Sequence, residues 1–324
     1  MVKNMSKLCL GTWQFESQFG KVTLEEAKEI VQYARSKGIK YIDTAQVYEK
    51  QRIERMLADI IEDSDIIITK IPACEKPQLY SNCDINKYYA LEWLEERIEI
   101  SKKNLKRIPD IILLHNWIPF WNDKDISQRL IMRLVELRKT EKVQKIGISL
   151  PDNFNSDIPI WILKEIDFLE APYNRKNNWI LGIIENVKKY DVKLGLRSLF
   201  ERGSVLQSEL NKKDIYNHIK RAGEIADVLI IGMTSKENID NNILLMEEKM
   251  DQKLKNLLVR TISKEQIKYI MENYNDICND EILGIGIDSF DYMNLLSELE
   301  DICKGSEDIP DTLKDIEDFL HKYQ

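Results

Sequence analysis

The chain has 324 residues, 43% of them apolar, which is enough for one large domain with a substantial core and a second small one. Its net charge of −8 disfavours a nucleic-acid partner. No apolar run approaches the ~18 residues that a membrane helix needs, which disfavours a membrane protein. The acidic charge is concentrated in residues 259–324, which carry 6 Lys and Arg against 16 Asp and Glu. We therefore expect this C-terminal fifth to be a separate unit.

The cysteines indicate a reducing environment. They are odd in number, irregularly spaced and never arranged as C-x-x-C, which favours free thiols over a disulfide framework. The N-terminus also lacks the long apolar core of a signal peptide. We therefore expect a soluble, cytoplasmic protein. The five cysteines are Cys9, Cys74, Cys83, Cys278 and Cys303.

Strand-like and helix-like segments alternate eight times in the first 248 residues. The strand-like segments are short and rich in Ile, Leu and Val at every position, as expected for strands of an enclosed parallel sheet. The first helix-like segment begins with a Thr23–Glu26 capping box and stops at Gly38. Eight such units predict an α/β fold, the (β/α)8 TIM barrel. The competitor, a doubly wound sheet, would need a Gly-rich dinucleotide turn that the first strand lacks. The predicted strands are Lys7–Gly11, Ile39–Asp43, Asp65–Lys70, Asp110–His115, Val143–Ser149, Ile166–Ala171, Val192–Ser198 and Asp227–Met233.

The C-terminal part is predicted to be a small helical bundle. Residues 249–258 form a charged, helix-prone linker, which we expect to act as a semi-rigid spacer. Three amphipathic segments follow within 259–324, and the last begins with a capping box at Thr312 and Asp315. The predicted domains are therefore residues 1–248, a linker at 249–258, and residues 259–324.

Three predicted strands end in ionisable side chains: Asp43, Lys70 and His115. Tyr48 follows Asp43 by five residues, in the next loop. Burying an unpaired charge is costly, so charges at neighbouring strand ends indicate a site on the barrel rim where barrel enzymes keep their chemistry. Each residue alone has an ordinary explanation, such as a packed aromatic, a cap, a solvated strand end or a core histidine. Together they favour catalysis.

These four side chains suggest the reaction. A cation beside a tyrosine favours the phenolate, so Lys70, held by Asp43, is expected to lower the pKa of Tyr48. His115 is expected to donate a hydrogen bond to an oxygen in the pocket. The result would be a proton donor aimed at an oxygen that gains charge, as a carbonyl does when it receives a hydride. The sequence shows no metal-ligand cluster, and no metal is expected.

Residues 1 to about 248 resemble the aldo-keto reductase family. The resemblance implies that Tyr48 is the general acid, that Lys70 and Asp43 tune it, and that His115 orients the carbonyl. It also implies a nicotinamide dinucleotide, NADP(H) in preference to NAD(H). The motifs that carry the resemblance are Leu10-Gly11-Thr12-Trp13, Asp43-Thr44-Ala45-Gln46-Val47-Tyr48, Ile68-Thr69-Lys70, Leu113-Leu114-His115, Ile146-Gly147-Ile148-Ser149, Pro172-Tyr173-Asn174, Arg197-Ser198 with Gly203, and Ile231-Gly232-Met233-Thr234-Ser235.

The cofactor-binding residues implied by this resemblance include several departures from the family pattern. Glu49 stands where glycine is common, Leu150 where asparagine is frequent, Glu170 where glutamine is usual, and Arg197 where many members have an aromatic. In the cofactor-phosphate loop the basic positions fall on Gly232 and Asn238, and Lys236 is the nearby cation. The implied cofactor-binding residues are Gly11, Thr12, Ser149, Glu170, Arg197, Ser198, Gly232, Thr234, Ser235, Lys236 and Asn242.

Residues 259–324 resemble an acyl carrier protein. The match rests on Gly286-Ile287-Asp288-Ser289-Phe290 before an acidic helix-like segment. The resemblance implies that Ser289 carries 4′-phosphopantetheine. It also implies that the acidic helix docks a phosphopantetheinyl transferase and other biosynthetic enzymes. Two alternatives remain: Ser289 or Asp288 only caps a helix, or the bundle is a plain interaction module.

The two resemblances together predict a carbonyl reductase fused to its own carrier. Its substrate would be a carbonyl intermediate, thioester-tethered to Ser289 or free and small, in a biosynthetic pathway. Tethering would raise the effective substrate concentration. The alternative is a low-turnover cofactor-binding scaffold or sensor attached to a working carrier module.

Overall fold

The structure is a computed structural model that describes residues 7–19, 22–79, 83–200 and 212–246. The linker at 249–258, the carrier-like segment at 259–324 and the predicted attachment site Ser289 lie outside the described residues. Their assignments therefore stay predictions.

Eight parallel strands form a closed barrel in which each strand pairs with the next and the last pairs with the first. This confirms the predicted (β/α)8 barrel and excludes the doubly wound sheet. The observed strand ends differ from the predicted ones by no more than two residues. The strands are β1 Leu8–Gly11, β2 Tyr41–Asp43, β3 Ile66–Ile71, β4 Ile111–Leu114, β5 Lys145–Ser149, β6 Phe168–Pro172, β7 Lys193–Arg197 and β8 Val228–Gly232.

Along the chain, helices α1 to α8 lie between the strands and α9 follows β8, and the first helix shows how the sequence sets their bounds. It begins at the predicted capping box, where the Glu26 amide donates to the Thr23 hydroxyl and the Thr23 amide donates to the Glu26 carboxylate. It ends before Gly38, whose φ of 85° is the left-handed conformation expected of a helix stop. The helices are α1 Leu24–Ser36, α2 Arg52–Leu57, α3 Ile85–Tyr88, α4 Leu91–Leu105, α5 Lys124–Lys139, α6 Ile160–Leu163, α7 Ile184–Lys189, α8 Lys212–Ile225 and α9 Lys236–Met246.

The barrel interior is filled by apolar side chains, and Phe168 is the largest of its central cluster. Two glycines on the flanking strands make room for Phe168, one for its ring and one for its backbone. A Cβ on Gly195 would lie 2.7 Å from the Phe168 ring, and a Cβ on Gly147 would lie 2.0 Å from the Phe168 carbonyl oxygen. Larger residues at either position would therefore displace β6, the strand that carries Glu170 to the rim.

The strand register brings the polar residues to one end of the barrel. Asp43 pairs with Gly11 on one side, and Lys70 pairs with Leu113 near the end of β4. Ser149 and Glu170 are direct register partners at the ends of β5 and β6. The chemistry-bearing residues therefore share the carboxyl-terminal rim, where enzymes of this fold place their active sites.

Among the described residues, Cys9 and Cys83 are buried and Cys74 is exposed, and none of these three forms a disulfide. Cys278 and Cys303 lie outside the described residues. No helix in the described ranges combines the length and apolar character needed to cross a membrane.

Candidate active site

A buried ion pair forms the base of the site. Asp43 ends β2 and Lys70 lies on β3, one residue before the strand ends. The Lys70 ammonium, only 1% exposed, lies 2.7 and 2.6 Å from the two Asp43 carboxylate oxygens and donates to the Thr44 carbonyl at 3.1 Å. The pair forms because the unpaired ammonium or carboxylate would be costly at this depth.

Burial and charge shape the pKa values of this pair. Burial lowers the pKa of Lys70, but the negative charges of Asp43 and Glu170 outweigh it, so the net pKa is raised and the ammonium stays charged. Burial, together with the negative charge of Glu170, raises the pKa of Asp43 to about 7 against the opposing effect of Lys70. The mouth of the barrel therefore holds a permanent cation beside a carboxyl group that titrates near neutrality.

Tyr48 lies in the turn after β2, where its amide donates to the Ala45 carbonyl at 3.0 Å. Its hydroxyl is 3.5 Å from the Lys70 ammonium, which also lies 5.5 Å from the centre of the ring. The pKa of Tyr48 is raised: burial of the hydroxyl is the largest cause, and Lys70 lowers the pKa by less. The prediction of a lowered pKa is wrong in its net direction, because desolvation of the hydroxyl outweighs the ammonium. Tyr48 is therefore a protonated phenol at neutral pH.

His115 follows β4 directly and is fixed by its backbone. Its amide donates to the Ile71 carbonyl at 2.9 Å. The buried Tyr89 hydroxyl lies 2.5 Å from the His115 carbonyl and 3.2 Å from the Ile71 carbonyl, so it links the ends of β3 and β4. Burial, followed by the charges of Lys70 and Arg197, lowers the pKa of His115 to about 3. His115 is therefore a neutral hydrogen-bonding group, and nothing in the sequence pattern indicated the role of Tyr89.

Glu170 is a second buried carboxylate at the rim and has no exposed surface. One of its oxygens, Oε1, accepts a hydrogen bond from the Ser149 hydroxyl at 2.9 Å. The other, Oε2, has no hydrogen-bond partner among the described residues and lies 3.5 Å from the Lys70 ammonium. The structure thus brings Ser149 and Glu170, both implied cofactor-binding residues, into contact with the base of the site.

Arg197, at the end of β7, is held along the edges of its guanidinium group. Its Nη1 atom donates to Asp152 and, at 2.8 Å, to the Ser198 hydroxyl, while Nη2 donates to the Leu150 carbonyl. Its Nε atom lies 3.3 Å from Glu170. Burial lowers the pKa of Arg197, but the negative charges of Glu170 and Asp152 raise it by more, so the net pKa is raised and the guanidinium stays charged. Four of the five in-plane N–H donors thus face protein acceptors, which leaves the flat face of the group as the surface for a planar ligand. Asp152 was not predicted from the sequence.

The first strand supplies backbone rather than side-chain contacts to this site. Thr12 is fully buried, and its amide and hydroxyl both donate to the Asp43 carbonyl at 2.9 Å. Gly11 pairs in register with Gly232 at the end of β8. A Cβ on Gly232 would overlap the Gln14 side chain at 2.0 Å. These residues therefore fix the ends of β1, β2 and β8 around the ion pair.

The other implied cofactor-binding residues form a second cluster at the start of α9. The Asn238 amide donates to the Ser235 hydroxyl at 3.0 Å, and its side-chain oxygen accepts from the Thr234 amide at 3.2 Å. The Lys236 ammonium pairs with Glu29 of α1 at 3.0 Å, with both side chains exposed. The buried Asn242 donates its side-chain amide to the Asn238 carbonyl within α9. Asn242 is thereby committed to its own helix.

The backbone after Tyr48 is unusual. Glu49, Lys50 and Gln51 are consecutive left-handed residues, with φ values of 42°, 51° and 70°. This conformation gives a physical reason for the glycine common at the position of Glu49. The Glu49 carboxylate holds this left-handed turn in place. It accepts hydrogen bonds from Arg52 Nε at 2.8 Å and from the Ser17 hydroxyl and amide. The loop that carries Tyr48 is thus tied to the loop after β1.

The chain is similar in sequence to one protein family and in fold to several solved structures. A sequence model of the aldo/keto reductase family matches residues 7–223. A comparison with curated proteins finds no match. Among solved structures, PA4992 of Pseudomonas aeruginosa has a TM-score of 0.57 and 18% identity over 74% of this chain and 88% of its own. The holo form of an aldo-keto reductase from Bacillus halodurans has a TM-score of 0.57 and 16% identity over 75% and 87%. An aldo/keto reductase from Klebsiella pneumoniae, in complex with NADP and acetate, has a TM-score of 0.51 and 15% identity over 74% and 86%.

The closed barrel, with ionisable side chains gathered at its carboxyl-terminal rim, defines an enzyme of the TIM-barrel class. The family match covers about two thirds of the chain, so the chain belongs to the aldo/keto reductase family. The protein is accordingly an NAD(P)H-dependent oxidoreductase. The solved structures share its fold at low sequence identity.

Proposed function

We propose that the protein is a carbonyl reductase in which Tyr48 protonates the carbonyl oxygen. The observation that carries this proposal is the position of the Lys70 ammonium, which lies between the Asp43 carboxylate at 2.6 Å and the Tyr48 hydroxyl at 3.5 Å. A proton donor must hold its proton at working pH, and the raised pKa of Tyr48 ensures this. The ammonium then stabilises the phenolate that forms as the proton leaves.

His115 completes this arrangement as an orienting group. Because its pKa is lowered to about 3, the imidazole is neutral and keeps one N–H to donate to the substrate oxygen. A hydrogen bond aimed at an oxygen that gains negative charge is a major source of transition-state stabilisation. We therefore assign Tyr48 as the acid, Lys70 and Asp43 as the groups that tune it, and His115 as the orienting donor.

The cofactor we propose is a nicotinamide dinucleotide, with NADP(H) preferred to NAD(H). The reduced nicotinamide ring supplies the hydride when it is bound. The residues present support this choice: Arg197 offers a flat face on which a planar ring can stack, since most of its in-plane donors already face protein acceptors. Ser149 and Glu170 lie beside it. We expect Thr234, Ser235 and Lys236, which lie around the start of α9, to hold phosphate groups, with Lys236 leaving its exposed partner Glu29 to do so. The Klebsiella pneumoniae relative, which is described with NADP, supports this choice.

This function is tested by cofactor oxidation with a panel of aldehydes and ketones. We expect turnover by the wild type and a loss of about 10²-fold or more in kcat for Tyr48→Phe. Tyr190→Phe is the matched control, because Tyr190 caps α7 shortly before β7 begins, away from the carboxyl-terminal rim, and should leave kcat unchanged. An undiminished rate in Tyr48→Phe would contradict the assignment of the proton donor.

A low-turnover scaffold or sensor is the second candidate. It is motivated by Glu170, which replaces the glutamine usual in the family and leaves Oε2 without a hydrogen-bond donor among the described residues. Such a protein would bind a nicotinamide cofactor and show no turnover with any carbonyl of the panel. Normal turnover by the wild type would exclude this candidate.

We further propose that the substrate is delivered on Ser289, as a carbonyl intermediate thioester-linked to 4′-phosphopantetheine. The support is the Gly286–Phe290 signature and the acidic composition of residues 259–324. Co-expression with a phosphopantetheinyl transferase, followed by intact-protein mass measurement, tests the attachment. We expect the wild type to gain the mass of one phosphopantetheine and Ser289→Ala to gain none. A wild type without the added mass would favour the plain interaction module, and reductase activity would be unaffected by that result.

A further inference from the structure

A buried carboxylate lies outside the active site, between β3 and helices α2 and α4. Glu54 of α2 has no exposed surface. Its carboxylate accepts three hydrogen bonds from neutral side chains: from the Thr69 hydroxyl at 2.7 Å, the Ser101 hydroxyl at 2.8 Å and the Asn104 amide at 2.8 Å. Burying a carboxylate is costly unless its oxygens are bonded, and here three elements supply the donors. We call these four residues the Glu54 cluster.

Thr69 joins the Glu54 cluster to the strand that carries Lys70. Successive side chains of a strand point to opposite faces of the sheet. Ile68 belongs to the central apolar cluster of the barrel, so Lys70, two residues later, also faces the interior. Thr69, between them, faces the helices. Its hydrogen bond to Glu54 therefore holds β3 from outside the barrel, one residue before the ammonium of the active site.

The Glu54 cluster also holds the turn of Tyr48 on its N-terminal side. Gln46, two residues before Tyr48, is buried and donates its side-chain amide to the Ser101 hydroxyl at 3.0 Å. The same amide donates to the Arg97 carbonyl, one turn earlier on α4, at 2.8 Å. The backbone amide of Gln46 donates to the Lys70 carbonyl at 3.2 Å. This end of the turn is thus bonded to both α4 and β3.

The C-terminal side of the same turn is held through Asn104. The Asn104 side-chain amide, which donates to Glu54, also donates to the Gln51 side-chain oxygen at 3.3 Å. Gln51 is the last of the three left-handed residues after Tyr48, with a φ of 70°. A left-handed conformation is unfavourable for a residue with a side chain and persists only where its surroundings hold it. Tyr48 therefore lies between two points at which the Glu54 cluster holds its turn.

We infer that Glu54 is a positioning residue that keeps the Tyr48 hydroxyl within reach of the Lys70 ammonium. The inference rests on the proposed function, in which Tyr48 is the proton donor. The two groups lie on separate segments, and their 3.5 Å distance is at the long limit of a hydrogen bond, so their own contact is too weak to fix it. One carboxylate instead joins the strand of Lys70 to both sides of the turn that carries Tyr48.

The test compares three variants. Glu54→Leu fills a similar volume but leaves the three donors without their acceptor. Glu54→Gln keeps one oxygen for the Thr69 and Ser101 hydroxyls, and the Asn104 amide can turn over to accept from the new N–H group. The matched control is Asp65→Asn. Asp65 directly precedes β3 at the other end of the strand, is 2% exposed, and accepts from the Arg35 guanidinium at 2.6 and 3.0 Å.

A spectroscopic arm reports on Tyr48 without turnover. The protein is labelled with tyrosine carrying ¹³C at the ζ carbon, and the Tyr48 resonance is the one that disappears in Tyr48→Phe. We expect this resonance to shift or split in Glu54→Leu, because the ring is no longer held beside the ammonium. It should stay at the wild-type position in Asp65→Asn and return close to that position in Glu54→Gln.

A kinetic arm uses the same proteins under conditions in which all of them are folded. In Glu54→Leu, kcat should fall about tenfold or more while KM for the carbonyl changes by less than about threefold, since a small displacement of a reacting group lowers the rate of the chemical step. Glu54→Gln should recover kcat to within about threefold of the wild type. Asp65→Asn should lower the urea midpoint and leave kcat within about twofold.

Ser101→Ala serves if Glu54→Leu does not fold. It removes only a hydroxyl, and it breaks the link between Gln46 and Glu54 while Thr69 and Asn104 stay bonded to the carboxylate. We expect it to move the Tyr48 resonance in the same direction and to lower kcat by a smaller factor.

Three results are distinguishable. If the resonance and kcat change in Glu54→Leu, recover in Glu54→Gln and hold their wild-type values in Asp65→Asn, the inference is supported. If the resonance stays in place in Glu54→Leu, or kcat falls equally in Asp65→Asn, the Glu54 cluster only stabilises the barrel and the inference is overturned. If the resonance moves as expected while the wild type reduces no carbonyl, the positioning role is supported and the reductase function fails.

Discussion

Replacing Lys70 by methionine is expected to destabilise the barrel strongly. At an effective dielectric constant of about 20, the attraction of the ammonium to Asp43 at 2.6 Å is roughly 6 kcal/mol, and to Glu170 at 3.5 Å it is roughly 5 kcal/mol. Most of this attraction offsets the cost of burying the charges. The substitution leaves two carboxylates without their shared cation, so we expect a loss of ~3–5 kcal/mol in the free energy of unfolding.

The loss should depend on pH in a defined direction. The native pKa of Asp43, about 7, lies above its value of ~3.9 in the unfolded chain, so the native state binds more protons between these two values. The free energy of unfolding attributable to this group therefore falls as pH rises from about 4 through 7. Without Lys70 the native pKa of Asp43 should rise further, since Lys70 lowers it. The deficit of Lys70→Met should thus be largest above pH ~8 and shrink toward pH ~6.

Urea unfolding of the wild type, Lys70→Met and the double variant Asp43→Asn/Lys70→Met measures these effects. The double variant removes the unpaired carboxylate of Asp43, so it should recover half or more of the lost stability at alkaline pH while remaining inactive. A Lys70→Met protein within about 0.5 kcal/mol of the wild type, or a double variant no more stable than the single one, would refute the account of the buried pair.

Three further outcomes follow from the described contacts. NMR titration of His115 should show a neutral imidazole down to pH ~4, and a titration midpoint near pH ~6 would contradict the buried, neutral assignment. Because the native pKa of about 3 lies below the unfolded value of ~6.5, this group should lower the free energy of unfolding as the pH falls from ~6.5 to ~3. Tyr89→Phe removes the hydroxyl that links the His115 and Ile71 carbonyls, so it should cost about 1 kcal/mol in urea unfolding and lower kcat several-fold; an unchanged kcat would show that the link does not position His115. Thr23→Ala breaks the cap of α1 and should cost about 1 kcal/mol with kcat unchanged; a loss of activity would mean that α1 affects the site.

The sequence sufficed to predict the barrel because its strands are buried on both faces and their apolar runs are unbroken. Polar residues stand out sharply against such runs, which is why Asp43, Lys70 and His115 could be placed at one rim. The capping box at Thr23 could also be predicted, since it depends only on residues three positions apart. The observed strand ends differ from the predicted ones by one or two residues, because pairing with neighbouring strands, rather than composition, decides where a strand stops.

What the sequence could not supply were quantities that depend on three-dimensional distance. The net pKa of Tyr48 depends on how deeply its hydroxyl is buried and on Glu170, which approaches from the far side of the barrel. Asp152 and Tyr89 hold Arg197 and His115 through contacts between distant segments. Neither residue has a local pattern that distinguishes it from an ordinary loop or helix residue.

The carboxylate of Glu49 has a practical consequence for redesign of this protein. The same side chain holds Ser17 after β1 and Arg52 at the start of α2, across three left-handed residues that have no glycine to relax them. Replacing the segment around Ser17 to admit new substrates would remove a contact that holds the turn carrying Tyr48. Loop exchanges in this barrel should therefore keep Ser17, Glu49 and Arg52 together.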